Sequence, residues 1–245
     1  MNFRKLVQRH RGLIPFMTLI LLVGINAPVF LTVGSILTTM TDTATLFIMA
    51  AGITFVIMLG GIDLSGQSTV ALASIVCSMS VVHWGYAAIP LAILTGMVVG
   101  LISGLVHVHF KLPSFIATLA VGSVAASAAL LLSGERSVPI SAENRDTYFF
   151  WIVGETLGIP NQIIVGFVVL LVSLCIERFT KFGYWSRAVG SGEPAALAIG
   201  VPITQVKVTA LVLSGAFAGF AGLVLGARLG SGSPTIANET LLPAI

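Results

Sequence analysis

The chain has 245 residues, of which 56% are hydrophobic and only 9% charged, against about 25% charged in an ordinary soluble domain. That balance excludes a water-soluble protein with a conventional core and surface. The net charge of +3 is spread between apolar blocks and forms no basic stripe, which speaks for membrane orientation and against a nucleic-acid surface. Cys77 and Cys175 both lie in apolar runs and read as small buried residues, with no disulfide framework or metal site.

The apolar blocks run for about 17 to 22 residues without a charge, the length an α-helix needs to cross about 30 Å of hydrocarbon. The expected fold class is therefore all-α, a polytopic transmembrane helix bundle forming one domain over residues 1–245. At the N-terminus Arg4, Lys5, Arg9 and Arg11 precede an apolar run from Leu13 to about Val33. The charge order is that of a secretory signal, but the run is too long and lacks a small-x-small cleavage site, so a retained first span over 13–33 is predicted. Further spans are predicted at 43–60, 64–82, 87–106, 115–133, 162–176 and 208–227, giving about seven.

With the N-terminus inside, the cytoplasmic segments collect Arg4, Lys5, Arg9, Arg11, Lys111, Arg178, Lys181, Arg187 and Lys207, while the outside holds Arg136, Arg145 and Arg228. This asymmetry satisfies the positive-inside rule and supports an odd number of spans. The segment Gly60-Gly61-Ile62-Asp63-Leu64-Ser65-Gly66 reads either as a cytoplasmic turn or as a break within the membrane, and hydropathy does not separate the two. Asp63 is the acidic side chain most closely framed by apolar sequence. It suits a helix cap or turn, or a direct solute contact, because ionisable groups at depth usually face a partner or an aqueous cavity.

An outer loop at about 134–161 carries Tyr148, Phe149, Phe150 and Trp151, an aromatic cluster suited to the bilayer interface. In an inner loop at about 177–207, Pro194 is placed to start a short helix. Gly96, Gly100 and Gly104, and then Gly215, Gly219, Gly222 and Gly226, have the spacing of close helix contacts, which is evidence of packing and not of function. His107, His109 and His83 read as interface residues; two histidines two apart on a helix diverge in direction.

Catalytic signatures such as G-x-S-x-G and H-E-x-x-H are absent, and so is any Gly-Lys pair for a phosphate-binding loop. The chain is expected to be no enzyme and to hold no cofactor, so energy must come from outside it. Secondary transporters commonly carry ion sites in the bundle, and spans this poor in acidic residues favour an external source.

Three ordered segments carry a resemblance. They are Gly60-Gly61-Ile62-Asp63-Leu64-Ser65; Leu112-Pro113-Ser114-Phe115-Ile116-Ala117-Thr118-Leu119; and Ala188-Val189-Gly190 through Gly200-Val201, followed by Leu213-Ser214-Gly215 and Ala218-Gly219-Phe220-Ala221-Gly222-Leu223. With them the chain resembles the ribose-type permeases of bacterial ABC importers for monosaccharides. The resemblance implies a multi-pass subunit of the inner membrane that works with an ABC ATPase subunit consuming ATP and Mg, a second permease subunit and a periplasmic sugar-binding protein, and with no nucleic acid. By motif position it offers Asp63, Ser65, Phe115 and Thr118 as solute-pathway residues. It makes Gly190, Glu193, Ala195, Ala196 and Gly200 part of the loop that docks on the ATPase.

The chain departs from the family at Gly66-Gln67-Ser68, where an amide replaces a glycine. It also stops at Leu241-Leu242-Pro243-Ala244-Ile245, where members of the family run on with further spans, so a truncated permease unable to sustain uptake alone is expected. The alternatives are a secondary transporter or channel, or an inactive truncated permease.

Overall fold

A computed structural model describes residues 13–236; the basic N-terminal cluster and the last residues of the chain fall outside the described residues. The chain divides after Asp42 into two compact units. In the first, helix α1 (Leu13–Asn26) is followed by a single 3-10 turn at Pro28–Leu31 and by the start of α2 (Val33–Ile57). The expected first span of 13–33 is therefore too long, and the second begins at Val33 instead of 43. Asn26 donates to the Leu22 carbonyl at 2.8 Å, closing α1, and Pro28 opens the 3-10 turn, as a residue without an N–H does. The hydroxyl of Thr32 accepts from Ser35 N at 3.4 Å, capping the first turn of α2.

The second unit holds the rest of α2 and helices α3 (Gly66–Trp84), α4 (Ala88–His109) and α5 (Ser114–Ser133). The strand β1 (Val138–Pro139) and the short helices α6 (Ala142–Tyr148) and α7 (Phe150–Val153) come next, then the hairpin of β2 (Glu155–Thr156) and β3 (Ile159–Pro160). Helices α8 (Asn161–Phe179), α9 (Lys181–Ser191), α10 (Glu193–Ala198) and α11 (Ile203–Leu229), and strand β4 (Ser231–Gly232), complete it. Among the described residues, 5 helical stretches are long and apolar enough to cross a membrane. One of them, Gly66–His109, is two helices, α3 and α4, joined by the 3-10 turn Gly85–Ala87. An all-α polytopic bundle is thus observed, without the expected count of about seven spans.

Helix α11 is the axis of this unit and packs chiefly against α4 and α3. The two glycine stripes meet: a Cβ on Gly96 would strike the Gly215 carbonyl, one on Gly215 the Gly96 carbonyl, and one on Gly100 the Leu211 carbonyl. The helices touch backbone to backbone, which only small residues allow. Lower barriers to approach come at no polar cost inside α3, where Thr69, Ser74 and Ser78 are fully buried. Each hydroxyl donates back to its own helix, to Ser65 O at 2.8 Å, Ala71 O at 2.7 Å and Ser74 O at 2.9 Å.

The segment expected as an outer loop is more ordered than a loop. β1 pairs antiparallel with β4, Val138 opposite Gly232, tying it to the end of α11. The aromatic cluster does not form the expected interfacial belt. Phe149 is fully buried in the core, Tyr148 meets Tyr86 edge-on at 4.9 Å, Trp151 stacks on Phe220 at 6.2 Å, and Phe150 alone of the four is largely exposed. Two short helices in succession turn three of the rings inward, over the end of the bundle.

Candidate functional site

Helix α2 ends at Ile57, and the chain turns through Gly60, at φ +74°, into an irregular stretch before α3 starts at Gly66. An irregular stretch between helices leaves backbone N–H groups that no helix or ladder satisfies. Here side chains of α5 satisfy them: Ile62 N donates to Ser114 Oγ at 2.9 Å, and Leu64 N to Thr118 Oγ1 at 3.0 Å. The two acceptors stand four apart on α5 and so share one face of that helix. Thr118 Oγ1 in turn donates to Phe115 O at 3.3 Å.

Between these two residues lies Asp63, only 1% exposed. Its Oδ1 accepts from Ser65 N at 2.9 Å and from Ser65 Oγ at 2.6 Å. Its Oδ2 accepts from Ser214 Oγ of α11 at 2.7 Å. Three hydrogen bonds, none of them from a cation, thus occupy both oxygens of this buried side chain. Ser65 and Thr118 are as buried as Asp63.

The break, the start of α5 and the middle of α11 are far apart in sequence, yet they form one hydrogen-bonded cluster built from all three motif segments. The structure thus brings Asp63, Ser65 and Thr118 together and encloses them. Phe115 is 45% exposed. It lines a cleft of about 370 Å³ whose walls include Gly60, Gly61, Ile62, His107, Glu193 and Lys207.

The same cleft reaches the loop between α8 and α11. Glu193, the first residue of α10, pairs with Lys207 of α11 at 2.6 Å, and Pro194 stands in the first turn of α10 as expected. Ala196 is buried with Val189, Val201 and Val206 in a small cluster that Leu59, at the start of the break, packs against. A Cβ on Gly190 would strike the Met58 carbonyl, so α9 rests directly on the backbone that leads into the break. Ala195 and Gly200 are exposed, Gly200 at φ +79°. Leu197 and Ile199 beside them are 65% and 68% exposed, although this loop lies outside the spanning helices.

One residue escapes a reading based on charge-free runs. Asp42 falls inside α2, just ahead of the predicted span at 43, and it is exposed. The threonine-rich sequence Thr38-Thr39-Met40-Thr41-Asp42-Thr43 is the signal that marks it, since an apolar span has no use for so many hydroxyls.

The fold and this cluster define a class, an integral membrane helix bundle with a structured break and a helical loop docked beneath it. The model of the family described as branched-chain amino acid transport system / permease component matches residues 35–245, and the chain belongs to that family. The ribose import permease protein of Haemophilus influenzae is 32% identical over 239 residues, 96% of this chain and 74% of the relative. The L-arabinose ABC transporter permease protein of Azospirillum brasilense is 34% identical over 94% of this chain and 68% of the relative. The ribose import permease protein of Bacillus subtilis is 34% identical, over 100% and 76%. No solved structure matches.

Proposed function

We propose that this chain is the membrane-spanning permease subunit of an ATP-driven importer that passes a monosaccharide or related small polar solute across a bacterial inner membrane. The observation that carries the reading is the convergence of the three motif segments on Asp63, with the break held to α5 by Ser114 and Thr118 and to α11 by Ser214. The names of the relatives, importers of ribose and L-arabinose, support the solute class.

In this reading the N-terminus is cytoplasmic, and the end of the bundle with Lys111, Glu193 and Lys207 faces the cytoplasm. A partner ATPase subunit, which uses ATP and Mg, docks on the loop of Gly190, Glu193, Ala195, Ala196 and Gly200. Exposed Leu197 and Ile199 supply the apolar surface such a partner covers. Closure of the ATPase carries α9 and α10, and the contacts of Gly190 with Met58 and of the Ala196 cluster with Leu59 pass the displacement to the break. The switch is of the rigid-body kind. Phe115 borders the path, while Asp63, Ser65 and Thr118 hold the backbone that shapes it. A second permease subunit and a periplasmic sugar-binding protein complete the importer.

The test is uptake of labelled D-ribose and L-arabinose into vesicles containing the chain with its ATPase, second permease and binding protein. Accumulation that requires both ATP and the binding protein is the expected result. Accumulation driven by an ion gradient with the ATPase omitted would establish a secondary transporter instead.

A further inference from the structure

Two clefts meet at the Glu193–Lys207 pair. The one described above runs to the break. The second, of about 500 Å³, leaves the break out and is walled by His107, Lys111, Leu112, Glu193, Thr204 and Lys207. Its level follows from where the helices end: α4 stops at His109, α5 starts at Ser114 and α11 starts at Ile203. All three belong to stretches long and apolar enough to cross a membrane, so the cleft lies at their common end, at the bilayer surface. Phe110 and Leu112 in the α4–α5 turn, and Ile116 and Leu119 on α5, are exposed, an apolar surface beside the cleft that acyl chains cover.

The charge of the cleft is set by two lysines from different elements. Lys111 stands in the turn at φ +53°, a left-handed conformation that glycine adopts at less cost. His107 Nδ1 donates to Leu112 O at 2.5 Å and closes that turn. The Lys111 ammonium is exposed and has no ion-pair partner among the described residues. Lys207 is half-buried and paired with Glu193. Two ammonium groups and one carboxylate leave a single positive charge in the cleft. A phosphodiester carries a single negative charge, whereas a phosphomonoester carries nearly two. Lysine binds phosphate as a point charge, and a basic pocket between spanning helices at the membrane surface suits a phospholipid headgroup.

We propose that this cleft binds the phosphodiester headgroup of an anionic phospholipid, held between Lys111 of the α4–α5 turn and Lys207 of α11, with its acyl chains on the exposed apolar face of α5. The site stands on this geometry and does not require the importer reading. A lipid there ties the turn that leads into Ser114, the residue bonded to the break, to the start of α11.

The test is native mass spectrometry of the full chain, taken from the monodisperse fraction in detergent and titrated with phosphatidylglycerol or with phosphatidylcholine of the same acyl chains. Phosphatidylglycerol is expected to stay bound where phosphatidylcholine does not. Lys111→Gln and Lys207→Gln are each expected to weaken its retention about fivefold, the scale of one lysine near an anionic headgroup, and Lys111→Arg is expected to keep it. Lys181→Gln removes an exposed lysine of α9 that does not wall the cleft and is expected to change nothing. If Lys207→Gln does not fold, because Glu193 loses its partner, Lys111→Gln decides. Equal retention of the two lipids, equal loss from Lys181→Gln, or full retention by Lys111→Gln overturns the proposal. Binding of sn-glycerol 3-phosphate as tight as that of the lipid overturns it too, by assigning the cleft to a soluble phosphate.

Discussion

Ser214 donates a 2.7 Å hydrogen bond to Asp63 across 151 positions of sequence, and through it α11 holds the irregular connection between α2 and α3. Ser214→Ala removes one of three donors to a buried carboxylate, a loss of about 1–3 kcal/mol. Asp63→Ala is expected to cost more, because it leaves Ser65 N and two hydroxyls without an acceptor. Asp63→Asn is expected to be the mildest change at 63, since its amide can still accept from Ser65 and can donate to Ser214. Thermal unfolding in detergent, read by fluorescence-detected size exclusion, checks the order Asn, then Ala; a reversed order refutes the network.

Ser114→Ala and Thr118→Val each strip an acceptor from a backbone N–H, of Ile62 and Leu64 respectively. Faster hydrogen exchange confined to residues 61–65 is the expected signature, by about tenfold or more per lost bond. Unchanged exchange there would mean that the α5 hydroxyls do not hold the break.

Gly96→Val and Gly215→Val place branched side chains where two backbones touch. Both are expected to abolish recovery of monodisperse protein, a cost above about 3 kcal/mol by overpacking against backbone that cannot yield. Gly166→Ala is the control, because a Cβ there finds its nearest neighbours at 3.9 and 4.0 Å. Equal yields of all three variants would refute the packing.

Glu193→Arg and Leu197→Ser are expected to weaken co-purification of the ATPase more than tenfold, a loss of about 1.4 kcal/mol or more, while leaving the thermal transition of the isolated permease nearly in place. The Glu193 side chain is 47% exposed in its pair with Lys207, and ion pairs of that kind contribute about 0–1 kcal/mol. Retained association would move the docking surface away from this loop.

Much of this is readable from residues alone. Run length identifies the spans from α3 onward to within a few positions, and the glycine spacing of α4 and α11 anticipates their contact. Run length fails at Asn26-Ala27-Pro28, where three uncharged residues end a helix by removing a donor and turning the chain, a local conformational event that hydropathy does not register. It fails again at Asp42, because a rule that begins spans after charges hides a charge placed within one. The cluster around Asp63 is half legible. The motifs announce that residues 60–65, 114–118 and 213–215 matter, but which hydroxyl meets which N–H depends on the facing of helices that no single segment encodes. The aromatic residues 148–151 mislead for a similar reason, since amphipathic rings suit an interface and a core equally until the turns that carry them are known.

The contact of Gly96 with Gly215 has a mechanical corollary. Helices that mesh through side chains can disengage and re-engage one turn along, as gear teeth do, but two backbones pressed together have no teeth. The α4–α11 pair is therefore a strut, rotating or translating as one piece.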